Sequence, residues 1–105
     1  MRTANALRIE PHDRRLQPRH TIPIGIVLSG ESVSCNNWSL SGFSALGFTR
    51  KLSRGQTVTG TIDAGRIRGE FAAKVVRIED DGEIGVQFIE IDPAVYGGLL
   101  VLARG

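Results

Sequence analysis

Arg14, Arg15 and Arg19 place three guanidinium groups within the run Arg14-Arg15-Leu16-Gln17-Pro18-Arg19, and Arg15 and Arg19 stand at R-x-x-x-R spacing. A guanidinium stays charged at every physiological pH and forks onto phosphate oxygens. In the same plane it donates to O6 and N7 of guanine or stacks on a base. Three of them this close can grip both ends of a guanine nucleotide. Taken alone, though, a basic cluster on a loop is more often a solvated surface feature than a site.

A second constellation is Asn37-Trp38-Ser39-Leu40-Ser41-Gly42, an N-x-S-x-x-G run at a strand-to-turn transition. Asn37 and Ser39 are two residues apart and share one side of a strand. Gly42 can take a positive φ and let a ligand approach the backbone. An amide and a hydroxyl together read a base edge or a ribose. The plain alternative is a turn in which Asn and Ser satisfy local backbone groups.

The other chemistry-bearing residues have simpler roles. His12 and His20 flank the arginines without a cysteine near them, so no metal site is expected. Cys35 shares a strand face with Val33 and reads as a small core residue. Trp38 reads as a packing residue, and Asp80-Asp81 as a turn rather than a carboxylate pair. Arg66, Arg68 and Arg77 are expected to face solvent, one of them in reach of a second ligand molecule. No phosphate-binding glycine loop or nucleophile elbow is present, and an enzyme is not expected.

The elements that must hold these groups are short. Residues 1–20 lack apolar periodicity and contain Pro11 and Pro18, which predicts an arm that is mobile until its arginines are paired. Ile22, Ile24, Ile26 and Leu28 alternate in a first strand over Thr21–Ser29, with Pro23 forcing an edge or a bulge. A turn at Ser29-Gly30-Glu31 leads to a strand over Ser32–Trp38, and further strands are predicted at Phe43–Phe48, Thr57–Asp63 and Ile67–Ile78. Asp80-Asp81-Gly82 forms a hairpin turn before a sixth strand carrying Ile84, Val86 and Phe88. Asp92-Pro93 starts a short helix, with Asp92 as N-cap, that Gly97-Gly98 weakens and Val95, Leu99 and Leu102 must hold by packing. The expected fold is all-β: a six-stranded antiparallel barrel over 21–105, with a flexible N-terminal arm and a short C-terminal helix, one domain in all.

Charge is distributed to match. The 105 residues carry a formal charge of +2, too little to coat a long nucleic acid, yet the stretch up to His20 holds five arginines against Glu10 and Asp13. A lone cysteine fits a reducing compartment. No run is long enough for a membrane span, so cytoplasm is the expected location, for a free chain or for the cytoplasmic domain of a larger membrane protein.

In this order, 18 positions apart from Arg19 to Asn37, the two motifs resemble the signature of the PilZ domain, R-x-x-x-R followed by (D/N)-x-S-x-x-G. Gly85-Val86-Gln87-Phe88 looks like that family's closing G-V-x-F strand, so the resemblance covers nearly all of Arg14 to Leu102. It implies a six-stranded barrel that receives cyclic di-GMP, a ligand rather than a cofactor. Arg15 and Arg19 would bind phosphate and guanine from the arm, and Asn37, Ser39 and Gly42 would form the barrel half of the site. Arg14, directly before the first motif, implies an intercalated pair of ligand molecules rather than one. Asn37 stands where Asp is commoner, keeping an acceptor and losing a charge. The implied output is an arm folded over the ligand, read by a downstream protein or an attached effector domain. The alternative within the family is an interaction module without nucleotide. A single-stranded DNA or RNA binder is disfavoured, because six aromatics, mostly at expected core positions, offer little stacking surface.

Overall fold

Short alternating strands leave half their side chains needing a shared interior, and closing the sheet on itself supplies it without exposed edges. The computed structural model describes residues 7–8 and 20–104. Its elements are β1 (Leu7–Arg8), β2 (Gly25–Leu28), β3 (Glu31–Ser39), β4 (Gly42–Leu46), β5 (Thr57–Ala64), β6 (Ile67–Ile78), β7 (Ile84–Ile91) and α1 (Pro93–Ala103). The sheet runs β1-β7-β4-β3-β2-β5-β6, and β6 pairs with β7 to close it. All pairings are antiparallel. The six strands β2 to β7 thus form the expected barrel.

Turn chemistry sets the register at the first hairpin. Leu28 pairs with Glu31, and the two residues between them, Ser29 and Gly30, both have positive φ, 49° and 88°, as a primed hairpin turn requires. Inside the barrel, Phe43, Phe71 and Phe88 meet with ring centroids 5.6 to 5.9 Å apart. Their tilted and edge-on contacts suit aromatic quadrupoles. Ile26, Leu28, Val58, Ile62, Val75, Ile84 and Val86 fill the space around them.

The helix closes one side. Asp92 caps it by accepting the Ala94 N–H at 2.8 Å, with Pro93 in the first turn. Val95 and Leu99 are fully buried. The helix lies close because Gly69 of β6 has no side chain: a Cβ there would stand 2.6 Å from Val95 Cγ2 and 2.7 Å from Asp92 Cβ. A Cβ at Gly98 would only make ordinary contact with Ile67 and Ala64, at 3.4 to 3.7 Å. The helix therefore runs through both of its glycines, held by packing.

Two sequence expectations change in detail. The first strand begins at Gly25 rather than Thr21, since Pro23 has no N–H to give to a ladder, and Ile22 is left exposed. The segment expected to be an arm contains a strand, because Leu7 and Arg8 pair with Ile91 and Glu90 of β7. Among the described residues, no helix is long and apolar enough to cross a membrane.

Candidate functional site

Strand alternation by itself would turn Asn37 and Ser39 into the barrel. Val33 and Cys35 lean on the core, and residues two apart share a face. The pairing of β3 with β4 breaks that parity: Cys35 faces Ala45, but the next pair is Asn37 with Ser44, so Asn36 is an extra residue in a bulge. A bulge shifts every later side chain to the opposite face. Beyond it Trp38, paired with Phe43, points to the core and is fully buried, while Asn37 and Ser39 fall on the opposite face of the strand, where Ser39 is buried all the same.

The outward positions line up across four strands. One row runs Asn37 of β3, Ser44 of β4, Gly85 of β7 and Arg77 of β6, each the direct partner of the next. The adjoining row is Ser39, Gly42, Gln87 and Lys74. Opposed residues on antiparallel strands have Cβ atoms about 5 Å apart. Amide, hydroxyl and cationic groups therefore share a patch floored in part by two glycines. Arg77 ends its row with its guanidinium 3.1 Å from where a Gly85 Cβ would lie, pairing with Glu79 at 2.7 Å. Glu83, 3.7 Å from Arg77, also accepts from Asn36 at 2.6 Å.

The chain enters this face at His20. Its N–H donates to the Trp38 carbonyl at 2.7 Å, and its own carbonyl accepts from the Trp38 N–H at 2.9 Å. The imidazole lies against the indole with centroids 4.7 Å apart, and the indole Nε1–H donates to the Ile22 carbonyl at 2.8 Å. Trp38 thus secures the entering strand on both sides of Thr21. Sequence reasoning took Trp38 for a packing residue and missed this clamp; the only signal was a histidine directly after the second arginine of the spaced pair.

Two motif residues have local duties. Ser39 is fully buried, and its Oγ accepts the Ser41 N–H at 3.2 Å and lies 3.0 Å from Ser41 Oγ, closing the β3–β4 turn. Gly42 is not among the glycines with positive φ, contrary to expectation. It is required because a Cβ would stand 2.0 Å from the Val86 carbonyl oxygen, so its bare backbone admits β7. Arg14, Arg15 and Arg19 lie outside the described residues.

The PilZ domain family matches residues 12–102. The chain belongs to that family. Its PilZ barrel is also similar to a solved structure, the Bacillus subtilis inhibitor of motility (MotI/DgrA), with a TM-score of 0.71 and 19% identity. That match covers 85% of this chain and 48% of the other, so the PilZ domain here spans about half of that protein's length. No curated protein matches the chain. PilZ domains are regulatory binding modules and not enzymes, and the family is one of cyclic di-GMP receptors.

Proposed function

We propose that this PilZ domain is a cyclic di-GMP receptor whose arginine-bearing N-terminal segment folds over the ligand on the outward face of β3, β4 and β7. Arg15 and Arg19 take phosphate and the O6/N7 edge of guanine, Arg14 supports a second, intercalated ligand molecule, and Asn37, Ser39 and Gly42 form the barrel side. One observation carries the reading. His20 is hydrogen-bonded in register with Trp38, the residue between Asn37 and Ser39, and in the sequence His20 directly follows the R-x-x-x-R motif. Ordering a free segment loses backbone entropy, which several charge-assisted bonds formed together can offset. The segment then acts as a switch, and segment, nucleotide and barrel make one surface for a partner protein or an attached effector domain in the cytoplasm.

Titration calorimetry tests this. Cyclic di-GMP should saturate at two molecules per chain, and Arg15→Ala and Arg19→Ala should each lower affinity by about a hundredfold or more with the fold intact. Arg14→Ala should change chiefly the stoichiometry. Affinity indifferent to Arg15 and Arg19 would refute the site. The second reading, an interaction module without nucleotide, is favoured by the engagement of Ser39 in its own turn, and a wild-type chain giving no heat with the dinucleotide would select it.

A further inference from the structure

Ser44 stands at the middle of the outward row, paired with Asn37 on one side and Gly85 on the other. Its side chain is fully buried, and its Oγ has no hydrogen-bond partner among the described residues. A hydroxyl sealed from water without a partner is destabilising by at least the worth of an ordinary hydrogen bond. Alanine would pack in its place with no such penalty.

The residue opposite supplies a use for it. Guanine carries two donors side by side on its Watson–Crick edge, N1–H and the 2-amino group. A carboxylate can meet both with its two oxygens, whereas an amide has a single carbonyl oxygen and turns its NH2 toward the second. Asn37 is therefore one acceptor short for guanine. Directly opposed Cβ atoms lie about 5 Å apart, so a base edge held at Asn37 comes within hydrogen-bonding reach of the Ser44 hydroxyl once the cover that seals it from water is displaced. Gly85 on the far side has no side chain of its own, and the Arg77 guanidinium that lies over it must swing aside for the ring to enter.

We infer that Ser44 is a specificity-determining contact for guanine, its Oγ accepting the base N–H that the Asn37 amide cannot. The inference rests on the dinucleotide reading above. It assigns to Ser44 and Asn37 jointly the two acceptors that distinguish guanine from hypoxanthine, which lacks the 2-amino group.

Calorimetry on the full chain with cyclic di-GMP and its inosine analogue separates the outcomes. Ser44→Ala should weaken cyclic di-GMP about tenfold and leave the inosine analogue unchanged. Asn37→Asp added to Ser44→Ala should restore the preference for guanine, because the carboxylate brings the second acceptor. The single variant should also melt a few degrees higher than wild type, since an unsatisfied group is gone. If wild type binds cyclic di-GMP and Ser44→Ala loses affinity for both dinucleotides equally, or for neither, the role of Ser44 is overturned while the receptor reading stands. Wild type that binds neither overturns both.

Discussion

Trp38 does two jobs with one side chain: its ring lies in the core and its Nε1–H reaches out to hold Ile22. Trp38→Phe keeps the apolar contact but removes the donor and part of the ring. We expect a loss of about 1–2 kcal/mol in chemical denaturation, together with weaker dinucleotide binding, because the smaller ring gives His20, next to the arginines in sequence, less to pack against. An unchanged denaturation midpoint would mean the indole hydrogen bond contributes nothing. Glu31 is the other residue whose contacts predict a measurement. Its carboxylate is held below the usual range first by the backbone N–H of Thr49 and then by the Thr49 hydroxyl, with burial opposing and Arg50 adding a lesser pull downward. A carboxyl with a depressed pKa in the folded chain stabilises it above the ordinary carboxylate pKa, and that contribution disappears as pH falls through the lowered value. The stability gap between wild type and Glu31→Gln should therefore be small at neutral pH, as befits an exposed pair, and should close on acidification. A gap that widens toward low pH would contradict the assignment.

At the level of elements, the bulge at Asn36 and the contact of β4 with β7 do the positioning. Gly42 belongs to a motif read as ligand-binding, yet its immediate constraint is the Val86 carbonyl. Gly42→Ala should cost roughly 3 kcal/mol or more through strand displacement, and circular dichroism of the ligand-free variant would register it. A stable Gly42→Ala protein that fails only in binding would instead make the glycine a ligand contact. The helix offers the opposite case. Nothing lies within 4 Å of where a Gly97 Cβ would stand, so Gly97→Ala should raise stability by about 1 kcal/mol through helix propensity alone. Gly69→Ala should lower it, because the added carbon would press on Val95 and Asp92.

For the whole molecule, closure through β6 and β7 gives each of the six barrel strands two neighbours within the barrel, and the aromatic cluster of β4, β6 and β7 sits within that ring. Stability and recognition are consequently separable. A chain beginning at His20 should unfold in one cooperative transition, with coincident fluorescence and circular dichroism curves and a modestly lower midpoint for want of the β1–β7 pairing. It should bind no cyclic di-GMP. Retained binding would move the site off the arginine segment, and loss of cooperativity would make that segment part of the fold.

Local patterns were enough to determine the six barrel strands, the turns at Ser29-Gly30 and Asp80-Asp81-Gly82, and the Asp92 helix cap, because alternation, positive-φ turns and capping depend on neighbours in the chain; the short β1 strand was not legible. The two polar motifs and their order were legible in the same way. Which face they occupy was not. Val33 and Cys35 point inward, and simple alternation carries Asn37 and Ser39 inward with them; only the pairing with β4 reveals the extra residue that turns them out. The clamp of His20 on Trp38, the role of Gly42 and the isolation of Ser44 Oγ likewise depend on registers between strands far apart in sequence, and register is decided by how the closed sheet packs.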